Sequence, residues 1–192
     1  MQRFKAKVCV IGDPAVGKTS LVRRYVLGDF TDGRRPTVGA EVSTRGQFVD
    51  LRDIGLTLSK LAEGAQVEWP PTFHLDMIVW DVMGTHRMPD EVRKAYFESA
   101  RGILAVADTS RAETLVHLDA WIAAAKREAG DVPVVVAINK ADLAPHADEA
   151  SAEALAEAHE APLFHTSAKT NEKVEKAFRN LAADVVLNLL GF

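Results

Sequence analysis

The chain has 192 residues, 47% of them hydrophobic and 26% charged, with a formal net charge of −4. That length suits one domain with a buried core, and the acidic balance argues against a nucleic-acid-binding or polybasic membrane-binding surface. The single cysteine, Cys9, excludes an internal disulfide and suits a reducing cytoplasm; inside an apolar run, it is expected to be a buried thiol. No signal peptide and no run of about 18 apolar residues is present. The start Met1-Gln2 lacks the glycine needed for myristoylation, and the end Leu190-Gly191-Phe192 offers no cysteine to prenylate. The expectation is a cytoplasmic protein with no lipid anchor, reaching membranes only through a partner.

Taken in chain order, the run Lys7-Val8-Cys9-Val10-Ile11 predicts a first strand over about 5–12. Gly12-Asp13-Pro14-Ala15-Val16-Gly17-Lys18-Thr19 follows and fits G-x-x-x-x-G-K-[ST], in which backbone N–H groups curl around a β-phosphate. Asp13 through Ser20 are therefore candidate phosphate binders. In this pattern Lys18 reaches the β- and γ-phosphates and the Thr19 hydroxyl ligates Mg²⁺. A helix over about 18–28 carries Leu21, Val22, Tyr25 and Val26 at helical spacing. The pattern lies between a strand and a helix, so a bare glycine-rich turn is the weaker reading.

Strands over about 41–51 and 72–81 are expected to pair as an antiparallel hairpin at the sheet edge. The second closes on Asp81-Val82-Met83-Gly84, where Asp81 would hold Mg²⁺ through water and the Gly84 N–H would donate to a γ-phosphate. On its own, D-x-x-G at a strand end is an ordinary turn. A helix near 88–99, a strand over Gly102–Asp108 and a helix over 111–129 follow, the last with an apolar stripe of Leu115, Leu118, Trp121, Ile122 and Ala125.

The strand Val134–Ile138 leads into Asn139-Lys140-Ala141-Asp142. N-K-x-D suits a guanine reader: the Asp142 carboxylate can accept from the base's N1 and N2 donors, a pair that adenine lacks. Asn139 would hold the loop and touch N7, while the Lys140 stem would lie along the base. A helix over 148–160 and a short strand, Pro162–His165, precede Thr166-Ser167-Ala168-Lys169, whose backbone N–H groups are candidates for guanine O6. The last helix, about 171–190, is expected to bury Val174, Phe178, Leu181, Val185 and Leu189 as a core-packing stripe. Alternating strands and helices imply an α/β fold.

These four motifs, in this order, resemble those of the Ras-superfamily small GTPases over nearly the whole chain, with the Rab, Rho and Ras branches or their prokaryotic relatives nearest in flavour. The resemblance implies the P-loop NTPase G-domain fold: a mostly parallel six-stranded sheet with one antiparallel edge strand and helices on both faces. It further implies one domain over 1–192, GTP or GDP as ligand, Mg²⁺ as cofactor, and effector, exchange-factor and GTPase-activating partners. Counted from Lys18, it places Phe30 over the guanine and makes Thr37 the switch threonine, ligating Mg²⁺ and bonding the γ-phosphate. Ser167, Ala168 and Lys169 complete the base site.

The chain departs from that pattern at several places. Thr85 stands where most Ras-like proteins have the glutamine that orients the attacking water, and it is too short to substitute for it. His86, one place later, is a candidate water-positioner or an exposed switch residue. Met83 adds bulk beside the γ-phosphate, and Pro14 removes an N–H from the loop. Arg34, three residues before Thr37, has the offset of the cis arginine of heterotrimeric G-protein α subunits; the alternative is a solvated charge. Thr37 and Asp81 lie 44 positions apart, which leaves an insertion at about 52–71 with a possible short helix over 55–62. That insertion is either a hairpin tip or a binding element. The expected function is a slowly hydrolysing GTPase switch. The alternatives are a non-hydrolysing GTP-bound scaffold and a P-loop ATPase or kinase, the last disfavoured by Asn139 and Asp142.

Overall fold

The computed structural model describes residues 2–33, 36–50, 72–85, 88–143 and 148–192. The strands are β1 (Arg3–Ile11), β2 (Ala40–Asp50), β3 (Thr72–Val82), β4 (Ala100–Asp108), β5 (Val134–Asn139) and β6 (Leu163–His165). The helices among the described residues are α1 (Lys18–Leu27), α2 (Asp90–Phe97), α3 (Ala112–Val116), α4 (Leu118–Ala129), α5 (Glu149–Ala158) and α6 (Val174–Leu190). The six strands form one sheet in the order β2-β3-β1-β4-β5-β6. β2 pairs antiparallel with β3 at the edge, and every other pairing is parallel. The expected mixed sheet with an antiparallel edge is therefore present. The insertion at 52–71, with its possible helix over 55–62, lies outside the described residues.

A parallel sheet covered on both faces reads as near-continuous apolar sequence, and β1, β4 and β5 do. Along β1 the side chains alternate between two cores. Val8 and Val10 join α1 and α6, whereas Cys9 and Ile11 join α2, α4 and α5. The last helix buries its stripe as expected: Val174, Phe178, Leu181 and Val185 are almost wholly buried and Leu189 packs against them. Cys9 is fully buried, its Sγ donating to Tyr96 O at 3.3 Å, and burial pushes the thiol up to about 12. Tyr25 fastens α1 to α6 and β2. It stacks on Phe178 at 4.0 Å between centroids, and the Arg45 guanidinium lies 4.2 Å above it while pairing with Glu175.

Two helices differ in their bounds from the sequence expectation. The helix expected from about 171 starts at Val174, because Asn171 and Lys173 sit at φ 65° and 49°. The helix expected over 111–129 is divided into α3 and α4 at His117, whose ring is drawn to Asp13. Among the described residues no helix is long and apolar enough to cross a membrane.

On α6, burial raises the Asp184 carboxyl from 3.8 to about 6. One turn earlier, the buried Asn180 Oδ1 has no hydrogen-bond partner. The folded state thus holds the Asp184 proton more tightly than the unfolded chain, so this contribution is present below pH 4 and is lost as pH rises through 6. Asp184→Asn is expected to stabilise the fold by about 1–2 kcal/mol more at pH 7.5 than at pH 4, after allowance for partial solvation. Urea denaturation at the two pH values measures this, and equal gains at both would contradict it.

Candidate functional site

A cavity of about 690 Å³ opens at the carboxyl ends of the parallel strands, where ligands of open α/β sheets bind. The loops after β1, β3, β5 and β6 line it, together with residues 30–33 and with Pro36 and Thr37. The sequence motifs thus meet at one place.

The phosphate loop begins where β1 ends. Gly17 sits at φ 98°, and a β-carbon there would fall 2.2 Å from Asn139 Nδ2, so only glycine permits this approach. It caps α1 with no side-chain acceptor, leaving the first N–H groups of the helix for an anion. Lys18 is buried, and its Nζ donates to Gly12 O and Asp13 O, both at 2.8 Å. Burial, opposed by the Asp81 and Asp13 charges and reinforced by Arg111, lowers its pKa to about 8. A phosphate here would therefore meet a cation already stripped of most of its water.

Beside it, Thr19 Oγ1, Thr37 Oγ1 and Asp81 converge. The two hydroxyls lie 2.8 Å apart, Thr19 donates to Asp81 Oδ2, and Thr37 reaches the same oxygen at 3.4 Å. Burial raises the Asp81 pKa while Thr19 and Lys18 oppose it, and the buried Oδ1 has no hydrogen-bond partner. Two hydroxyls and a carboxylate with a spare buried oxygen fit a hard, oxygen-seeking cation such as Mg²⁺. Gly84 packs so closely on the loop that a β-carbon would lie 2.5 Å from Pro14 N. This brings its backbone beside the phosphate loop, with Met83 and Thr85 also lining the cavity.

At the other end, the buried Asn139 side chain joins three segments. Its Nδ2 donates to Val16 O at 2.9 Å, and its Oδ1 accepts from Ala168 N at 3.3 Å and Thr166 Oγ1 at 3.4 Å. Asp142 faces the cavity, its Oδ1 accepting from the buried Ser167 Oγ at 2.5 Å. Phe30, Lys140, Ala168 and Lys169 complete this end.

Three predicted residues send their side chains elsewhere. Asp13 turns away to accept from Trp121 Nε1 at 2.9 Å and to bond His117 Nδ1 at 2.7 Å. Val16 is a core residue, and Ser167 orients Asp142 from behind. Arg34 and His86 lie outside the described residues. Conversely, Arg24 went unnoticed in the sequence: its Nε donates to Ala168 O at 2.8 Å, its Nη2 to Lys169 O at 3.1 Å, and it lies 5.9 Å from the Phe30 ring centroid. Asp108 was missed as well, although its place at the end of β4 mirrors that of Asp81 on β3.

A model of the Ras family matches residues 7–187. The chain belongs to the Ras family. It is 31% identical over 185 residues to GTP-binding protein ypt5 of Schizosaccharomyces pombe, covering 94% of this chain and 78% of that protein. Against Ras-related protein Rab-7a of Dictyostelium discoideum the identity is 29% over 188 residues, covering 94% and 82%. Against Ras-related protein Rab-11B of the same organism it is 28% over 181 residues, covering 93% and 72%. This Ras-family chain is accordingly a small GTPase, and the sheet described above is its G-domain sheet.

Because the Asn139 side chain donates to Val16 O and accepts from Ala168 N across the cavity, Asn139→Ala should remove both bonds. Its expected cost is about 2–3 kcal/mol, measurable as a lowered urea midpoint, and an unchanged midpoint would contradict the clamp.

Proposed function

We propose that this chain binds GTP and GDP with Mg²⁺ as a molecular switch and hydrolyses GTP slowly to GDP and phosphate. The observation that carries this reading is the convergence of the Lys18 loop, Thr19, Thr37 and Asp142 in one cavity, with Asp81 bonded to Thr19. The triphosphate would lie along Ala15–Thr19, with guanine between Phe30 and the Asp142 loop. One G domain over 1–192, with the insertion at about 52–71 as an extension of its β2–β3 connection, is part of the proposal.

The chain's own groups divide the work. Lys18 Nζ would exchange its two carbonyl partners for β- and γ-phosphate oxygens. The amides of residues 15–19 and of Gly84 would donate to the same groups, and the Thr37 N–H to the γ-phosphate. Thr19 and Thr37 would hold Mg²⁺ directly and Asp81 through water; the ion supplies neutralisation of phosphate charge. Asp142, oriented by Ser167, would accept hydrogen bonds from the guanine N1–H and N2–H donors, and Ala168 and Lys169 would close the O6 side. Thr85 carries no amide to orient the attacking water, which is the reason for proposing slow turnover. His86 and Arg34 are the chain's own candidates for that water and for charge neutralisation, and a GTPase-activating partner is the external one. Exchange factors and effectors would read the switch segments in the cytoplasm.

The second reading, a GTP-bound scaffold without hydrolysis, draws on Met83 and Thr85 in the cavity lining. Single-turnover phosphate release from protein loaded with GTP and Mg²⁺ separates the two. Slow release is expected from the parent, and Thr85→Gln should accelerate it by about tenfold or more. GTP retained intact by both proteins would favour the scaffold, and failure to load GTP would sink both readings.

A further inference from the structure

The phosphate loop holds a conformation that its own residues do not favour. Ala15 sits at φ 61°, a left-handed setting that a residue with a β-carbon reaches only at a cost. Pro14 before it has no N–H and contributes only its carbonyl. That carbonyl accepts from Arg111 Nη2 at 2.8 Å. The same guanidinium donates through Nε to Asp108 Oδ2 at 3.1 Å, so its fork is fixed at two points.

Asp108 is itself well anchored. Its side chain is 1% exposed, Oδ2 also accepts from Lys140 Nζ at 2.6 Å, and Oδ1 accepts from Ser110 N and Oγ at 2.9 and 2.7 Å. Burial would raise this carboxyl, but Lys140, Ser110 and Arg111 outweigh burial and hold it below its ordinary value. A buried anion thus grips a cation from the base loop and a cation that holds the phosphate loop.

We propose that Arg111 is a positioning residue for the phosphate loop, fixing the Pro14–Ala15 peptide from behind, and that Asp108 couples this peptide to Lys140 at the base. The C=O and N–H of a trans peptide point in opposite directions. Pro14 and Ala15 line the cavity whereas Arg111 does not, so a carbonyl held by Arg111 turns the Ala15 N–H inward. A charged donor on the carbonyl also polarises the peptide and strengthens that N–H as a donor. With no N–H on Pro14, the Ala15 amide is the donor at this turn of the loop.

The proposal rests on the nucleotide reading of the same cavity, and its test separates the two. Affinities for GDP and for GMP are measured at fixed Mg²⁺ on the full chain, GMP by competition at millimolar concentration. Arg111→Ala should weaken GDP about tenfold or more and GMP less than about twofold, because GMP has no β-phosphate for the loop to hold. Asp108→Asn should weaken both, since it also releases Lys140. Should Arg111→Ala fail to fold, Arg111→Lys keeps the charge without the fork, and the same split is expected at smaller amplitude. GDP affinity within about twofold of the parent, or equal losses for GDP and GMP, would overturn the proposal, the latter outcome indicating general loosening. A parent that binds neither nucleotide would instead refute the nucleotide reading.

Discussion

One buried amide, that of Asn139, holds the functional end of this fold together. Its NH₂ reaches back to the phosphate loop at Val16, while its oxygen takes the backbone of Ala168 and the hydroxyl of Thr166. Neither loop has regular backbone pairing across the cavity, so a buried side chain capable of both donating and accepting is the economical way to join them. The side chain thereby ties the phosphate loop to the loop after β6. Gly17 allows the approach, since any β-carbon there would collide with the amide.

Around this clamp the charged groups are arranged as a reserve of binding energy. Lys18 is buried against two carbonyls, and burial outweighs the support its charge receives from Asp81 and Asp13. Asp81 is buried with one oxygen unpartnered. Each group alone would be costly to keep in an apolar environment. Together they fit an anion carried with a divalent cation, which would compensate both at once. The end proposed for guanine is arranged at lower burial: Ser167 donates to the Asp142 carboxylate, and Arg24 holds the Ala168 and Lys169 carbonyls near Phe30.

Much of this was legible in the sequence because its signals are local. Gly17-Lys18-Thr19, Asp81 to Gly84 and Asn139 to Asp142 each sit within a few residues at the end of an apolar strand, and the sheet order brings those strand ends together. The core face of α6 followed from its period. What stayed hidden depends on contacts across long stretches of chain. Arg24 meets Ala168, Arg111 meets Pro14, and His117 and Trp121 meet Asp13, and no short pattern encodes any of these pairs. Asp13 illustrates the limit: motif position placed it among the phosphate binders, while its carboxylate serves the α3–α4 junction. Helix starts were misjudged for a related reason, since left-handed Asn171 and Lys173 carry no signal as clear as glycine.

The account's central claim is that Asp142 reads the guanine edge inside a cavity built for a nucleoside phosphate and Mg²⁺. The most direct measurement is competition of GDP and xanthosine diphosphate for the parent and for Asp142→Asn, with Mg²⁺ present. The parent should prefer GDP by about 10³-fold or more, and the variant should reverse that preference, because an amide complements the xanthine edge as a carboxylate complements guanine. If the order of preference is the same for both proteins, Asp142 does not read the base and the account is contradicted.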